Sequence, residues 1–173
     1  MVAAGVASKR PHGAFHRLFA AARWSLDRLG SALFELSAPF RPKDGPVAVT
    51  LDDTLAHKRG KKTFGAGLHH DNTRSSRPIT VFSDGHSWVV LAVVVCLPCV
   101  PGRVFSLPFL FRLYLNQRSA RRLLRPYRTR PQLALELLAA VDARFSDRRF
   151  RVRADSACGG HRCREDCRCA STC

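Results

Sequence analysis

The sequence predicts an α/β domain that follows a helical N-terminal segment. Three observations support this: apolar residues at three- and four-residue steps over 12–38, a β-type run at Val47–Leu51, and a helical stripe after Pro131 that leads into a further strand at Arg149–Arg153. A strand at each end, with more strands and a helix between them, is an order that can place the first and last strands side by side and parallel.

The pattern of apolar residues in the N-terminal segment predicts an amphipathic helix or helix pair. Its apolar positions are Phe15, Leu18, Phe19, Ala22, Leu26, Leu29, Leu33 and Leu36, with charged residues between them. Prolines at 39, 42 and 46 then predict a linker. We expect residues 1–45 to form this first unit.

Short strands and turns are predicted next. Val47–Leu51 ends at Asp52, residues 57–67 read as a hairpin or loop, and residues 69–78 are polar and turn-like. Further strands are expected at 79–82, 88–97 and 104–115, the last extended because Pro108 interrupts any helix.

The C-terminal part begins with a basic stretch, Asn116–Arg130. Pro131 suits the first turn of a helix, and Leu133, Leu137, Leu138, Val141 and Phe145 form its stripe. Arg149–Arg153 alternates charged with apolar residues, which predicts a strand ending near Asp155.

Composition excludes whole-chain disorder, an acidic tail and a typical neutral metabolic enzyme. Hydrophobic residues make up 46%, and 29 basic against 13 acidic residues give a net charge of +16. Such an excess favours a polyanionic partner, although 24 of the 29 basic residues are Arg, so GC-rich codon usage is an alternative source of the excess.

No export signal precedes the first charges, and the longest apolar run, 88–101, has 14 residues against the roughly 20 that span a membrane. We expect a cytoplasmic, nucleoid-associated protein with reduced thiols and no membrane contact.

Two acids stand at the ends of predicted strands, Asp52 and Asp155. If those strands are parallel neighbours, both carboxylates project at one rim of the sheet. Two close carboxylates ionise together only with a cation between them, and Mg²⁺ or Mn²⁺ suits oxygen ligands. The alternative is that both acids are turn residues or helix caps.

Four blocks of sequence resemble DDE-type transposases of bacterial insertion sequences, whose catalytic domain is RNase H-like. They are LDDTLAHKRGKKTFGAGLHHDNTRSS, GHSWVVLAVVV, SLPFLFRLYLN and RVRADSACGG, within residues 12–160. The resemblance implies DNA transposition, with metal-dependent cleavage and strand transfer at insertion-sequence terminal repeats, target DNA as partner, and homo-oligomers on DNA. It makes Asp52 the first catalytic, metal-binding acid and Asp155 the second. Asp53 belongs to the motif without an assigned ligand role.

The family needs a third acid, usually Glu, well downstream of the second. Glu165 and Asp166 lie too close to Asp155 to be accepted as that residue. We therefore expect residues 46–160 to be a partial RNase H-like domain, residues 161–173 an aberrant Cys- and Arg-rich tail, and the polypeptide to be an inactive fragment by itself.

Basic residues follow the first acid closely and could hold DNA phosphates: Lys58, Arg59, Lys61 and Lys62. The arginines of 118–130 could form a second backbone-contact surface. The alternative for both groups of basic residues is that they form solvent-exposed charged surfaces that do not contact DNA. His69 and His70 are interpreted as hairpin residues instead of metal ligands.

Two further functions stay open. One is a non-catalytic basic nucleic-acid-binding protein. The other is a zinc-binding tail formed by Cys158, His161, Cys163, Cys167, Cys169 and Cys173, although these cysteines lack the usual spacing of two pairs around a loop. Cys96 and Cys99 are expected to be buried thiols at a strand end.

Overall fold

The computed structural model describes residues 12–21, 23, 25–42, 45–58, 60 and 63–154. The helices are α1 (His12–Ala21), α2 (Leu26–Leu36), α3 (Gln117–Arg122) and α4 (Arg130–Arg144), with a 3-10 turn at Ala38–Phe40. The strands are β1 (Val47–His57), β2 (Gly67–His70), β3 (Phe82–Cys96), β4 (Val104–Tyr114) and β5 (Phe150–Ala154). The protein is a mixed α/β domain, as the sequence predicts, and its helix pair precedes the sheet.

Strand β3 is the centre of the sheet. It pairs antiparallel with β1 along one edge. Along its other edge it pairs antiparallel with β2 through residues 82–85 and with β4 through residues 87–96. On the far side of β1 lies β5, which runs parallel to it from Val47↔Phe150 to Leu51↔Ala154. The predicted parallel pairing of the first and last strands is therefore confirmed, and the mixed sheet is consistent with an RNase H-like domain.

The core lies between α4 and one face of the sheet. Alternate residues of β1 and β3 point towards it because side chains along a strand alternate between the two faces. Its buried members include Val49, Leu51, Val89, Leu91, Val93 and Val95 from the sheet and Leu133, Leu137, Val141 and Phe145 from α4 and its C-cap. Thr129 and Gln132 form a capping box that fixes where α4 begins.

Helix α2 is part of the same core. Its Phe34 is fully buried, with ring centroids 5.2 Å from Phe109, 4.4 Å from Phe145 and 5.8 Å from Phe150. At Gly30 a Cβ atom would collide with the Phe109 carbonyl oxygen, so a glycine is needed for α2 to approach β4 this closely. One face of α2 is thus packed against the sheet through Gly30 and Phe34, whereas the leucines predicted as its apolar stripe, Leu26, Leu29, Leu33 and Leu36, are exposed.

Several boundaries differ from the sequence prediction. β1 continues through the polar residues after Leu51 because β3 supplies paired backbone as far as His57↔Gly85. The expected strand at 79–82 is wrong, since β3 begins only at Phe82. His69 and His70, expected in a turn, lie in β2 and pair with the first residues of β3.

The expectation of buried thiols at Cys96 and Cys99 is also wrong. Both are exposed and unbonded, because β3 ends at Cys96 and the chain turns there before β4. The apolar run thus buries its valines, while its cysteines fall at the solvent-facing turn.

Candidate active site

Asp52 lies in the middle of β1, not after its end as the sequence predicted. The strand that ends at this point is β5, whose last described pair is Leu51↔Ala154. From Asp52 to His57, no described strand pairs with β1 on that side. Asp52 therefore stands where the edge of β1 becomes open, with an exposed side chain whose Oδ1 accepts a hydrogen bond from the Asp53 amide at 2.8 Å.

Asp53 points to the opposite face of the sheet from Asp52, because consecutive side chains alternate. Its Oδ2 lies 3.0 Å from Nε of Arg130, the first residue of α4, and its side chain is only 15% exposed. Arg130 is held in turn over the Tyr114 ring, 4.4 Å from its centroid. Asp53 is thus engaged in a partly buried ion pair.

A third carboxylate, Asp71, shares a cavity of about 260 Å³ with Asp52 and Asp53. Asp71 is 2% exposed; it accepts hydrogen bonds from Ser83 Oγ at 2.8 Å and from the Arg74 amide at 3.1 Å, and His57 Nε2 lies 3.5 Å away. The Ser83 hydrogen bond is the main cause that lowers the pKa of Asp71, against the opposing effect of burial. The hydrogen bonds of Asp71 thus connect the turn after β2 with β3 and stabilise this part of the fold.

We expect Asp71→Asn to destabilise the protein in a pH-dependent way. A carboxyl whose folded pKa lies below its ordinary value of 3.8 stabilises the fold above that value and loses this contribution as the pH falls through the folded pKa. Urea unfolding should show a stability loss at pH 7 that shrinks below about pH 4. Asp147→Asn, at an exposed position, is the control. An equal loss at both pH values would contradict this role.

Of the predicted DNA-binding residues, Lys58 lies within the described part of the chain, while Arg59, Lys61 and Lys62 fall outside it. Lys58 lines a cavity of about 1000 Å³, the basic cleft, together with Arg74 and Arg122. His57 lines both the basic cleft and the smaller acidic cavity, so the two adjoin. The sequence reasoning missed Arg74, which carries no pattern signal.

Three of the arginines of 118–130 have different surroundings. Arg122 lines the basic cleft, Arg128 pairs with Glu136 at 3.0 Å, and Arg130 pairs with Asp53. The sequence could not separate these roles because each depends on a partner supplied by another element.

Three histidines contact neighbouring residues of the fold. His69 is buried beside Tyr114, and burial, followed by the nearby Arg130 charge, lowers its pKa, which favours the neutral ring. His70 contacts Ser75 Oγ at 3.1 Å, and His86 Nε2 lies 2.7 Å from the Phe64 carbonyl oxygen. Within the described ranges no group of three or more His, Cys, Asp or Glu residues is placed to hold a metal ion.

The second predicted acid, Asp155, lies outside the described residues, and so do the cysteines and the histidine of the tail. Asp155 directly follows Ala154, the last residue of β5. Its catalytic and metal-binding role therefore remains a prediction, and so does the role of Asp52.

A central β3 flanked by β1 and β4, with a parallel β5 beside β1, forms a mixed sheet consistent with the RNase H-like domain of DDE-type nucleases. The family described as DDE superfamily endonuclease matches residues 1–164, nearly the whole chain, and the chain belongs to it. Comparisons with curated proteins and with solved structures give no match. In the part of the chain described here, no helix is long and apolar enough to cross a membrane.

Proposed function

We propose that this protein carries the active site of an insertion-sequence transposase, in which Asp52 and Asp155 together hold Mg²⁺ or Mn²⁺ for DNA strand cleavage and strand transfer. The observation that supports it is the register of β1 and β5: Leu51 and Ala154, the residues before the two acids, are paired neighbours. Consecutive Cα atoms are 3.8 Å apart, so the Cα atom of each acid is one residue, or 3.8 Å, from its neighbour in that pair.

The chemistry of Asp52 fits a hard divalent ion. Its carboxylate is exposed, in contrast to the two other carboxylates of the cavity, which are engaged by Arg130 and by Ser83. Oxygen ligands are those that Mg²⁺ and Mn²⁺ prefer. When bound, such ions activate a water or 3′-hydroxyl and stabilise the leaving oxygen in displacement at a phosphodiester.

The surrounding residues would then position the acid and the substrate. Arg130 neutralises Asp53, so that Asp52 does not lie beside a second unpaired carboxylate on the same strand. Lys58, Arg59, Lys61 and Lys62 would contact DNA phosphates next to the acidic cavity. Insertion-sequence ends and target DNA are the proposed partners, bound by a homo-oligomer.

We also propose that the polypeptide alone cleaves DNA poorly. Among the described residues, Asp53 and Asp71 also line the cavity, but they are held by Arg130 and by Ser83, which disfavours either as a third ligand. A site with two carboxylates holds a second ion weakly, whereas phosphodiester displacement of this kind uses two.

The test combines metal binding with a cleavage assay. Titration of the purified protein with Mn²⁺, followed by water-proton relaxation, should show roughly one bound ion per chain. Labelled DNA incubated with the protein and Mn²⁺ should form a complex with little cleavage. Robust cleavage would contradict the two-ligand proposal, and absence of Mn²⁺ binding would contradict the catalytic site.

A non-catalytic nucleic-acid-binding protein is the second candidate, favoured by the net charge of +16 and by the basic cleft. It predicts tight DNA binding with no effect of Asp52→Asn or Asp155→Asn on Mn²⁺ binding. The catalytic proposal predicts that both substitutions reduce Mn²⁺ binding while DNA binding survives.

A further inference from the structure

The basic cleft is assembled from three separate segments of the chain. Lys58 follows β1, Arg74 lies in the turn after β2, and Arg122 ends α3. Among the described residues, one carboxylate, Asp84, lines the same cavity beside the three cations. Convergence of cations from three segments concentrates positive potential in a concave site, which attracts polyanions.

Within the described residues, none of the three cations makes a salt bridge, whereas Arg112, Arg128 and Arg130 each pair with an acid. The Arg74 charge does act on the nearby Asp71 carboxylate, whose pKa it helps to lower. The Arg122 guanidinium makes a long 3.4 Å contact with the Ala66 carbonyl oxygen. All three side chains are exposed, so their charges are available to an anion that enters the cleft.

An aromatic side chain also lines the basic cleft. Phe82, the first residue of β3, is 58% exposed although its ring is large and apolar. The His70 ring meets it edge-on at 5.8 Å, which supports one side of the phenyl ring. Exposed aromatic rings beside cations are the combination by which proteins bind single-stranded nucleic acid, because bases stack on the ring while cations contact the phosphates.

We propose that the basic cleft is a strand-anchoring site, in which Lys58, Arg74 and Arg122 bind the phosphates of an unpaired DNA strand and Phe82 stacks on one of its bases. This rests on the proposed function and extends it, since His57 joins the cleft to the acidic cavity. Asp52 and His57 are five residues apart on β1, or about 17 Å, so one bound strand could extend from the acidic cavity into the basic cleft.

The test measures DNA binding without metal, so that it does not depend on catalysis. Fluorescence anisotropy in EDTA would compare a 20-nucleotide single strand, a duplex with a single-stranded overhang, and a blunt duplex. Arg74→Ala/Arg122→Ala should weaken single-strand binding at least tenfold at 0.1 M salt. It should also reduce the slope of log K against log salt by about 1.4, because each single-strand phosphate contact contributes about 0.7.

A matched control is available on the same two segments. Arg77→Ala/Arg121→Ala removes the same charge from the same turn and the same helix, at exposed positions that do not line the cleft. It should weaken binding less than threefold. Equal losses for the two double variants would overturn the proposal, since they would show a general charge effect.

Two further arms test the ligand. Phe82→Ala should remove the preference for an overhang over a blunt duplex, and Phe82→Tyr should keep it. Inorganic phosphate should displace the strand no better than chloride at equal ionic strength. Unchanged preference in Phe82→Ala, selective displacement by phosphate, or tighter binding of RNA than of DNA would overturn the proposal. Because the assay contains EDTA, its result does not depend on metal binding by Asp52, so failure of the catalytic proposal and failure of this proposal can be distinguished.

Discussion

Asp52→Asn is expected to weaken Mn²⁺ binding by more than the roughly 10–100-fold loss that follows removal of a residue that only supports a metal ligand. The substitution preserves the shape of the side chain and removes its charge. Because Asp52 is exposed at the open edge of β1, its loss should cost little stability. Water-proton relaxation with Mn²⁺ measures the dissociation constant, and Asp155→Asn should give the same result.

Asp53→Asn is the matched control, since it changes the same charge one residue away. Asp53 is bound to Arg130, so its substitution should reduce stability through the unpaired arginine and leave Mn²⁺ binding within about threefold of wild type. If Asp53→Asn abolished Mn²⁺ binding and Asp52→Asn did not, the assignment of the metal-binding acid would be reversed.

Phe34→Ala is expected to destabilise the protein by about 3–5 kcal/mol, the usual cost of truncating a buried phenylalanine. Phe34 is 0% exposed and contacts the rings of Phe109, Phe145 and Phe150, which belong to three elements of the domain. The Arg41 guanidinium also lies over its ring, 4.0 Å from the centroid. Alanine favours helix, so the loss measures packing alone. Urea unfolding gives the free energy.

Leu36→Ala on the same helix is the comparison, because Leu36 is 72% exposed. Its substitution should change the free energy of unfolding by less than about 0.5 kcal/mol. Similar small effects for both variants would mean that α2 does not pack into the sheet, and that the N-terminal segment is separable from the domain.

Much of the fold could be predicted because it depends on local pattern and chain order. Pro131 and the leucines after it predict α4, and the crossover rule predicts that β5 lies parallel beside β1. The end of β1 could not be predicted, since its polar second half is a strand only through pairing with residues 85–90 of β3. Similarly, β2 (Gly67–His70) contains two histidines and a glycine and carries no strand pattern.

Single residues of the candidate site could be predicted from the sequence, but the contacts between them could not. Asp52 follows a β-type run and is identifiable from the sequence, but its neighbour Asp53 is distinguished from it only by an ion pair with a residue 77 positions later. The basic cleft depends likewise on Arg74 and Arg122, which no sequence motif connects to Lys58. Contacts between distant segments are set by the packed fold, so periodicity and spacing do not contain them.

The location of the metal ion tests the central claim most directly. A crystal structure of the protein with Mn²⁺, with anomalous scattering to find the ion, would show its ligands. We predict a peak at the open edge of β1, bound at about 2.0–2.2 Å by carboxylate oxygens of both Asp52 and Asp155. A peak bound elsewhere, or side chains of Asp52 and Asp155 on opposite faces of the sheet, would contradict it.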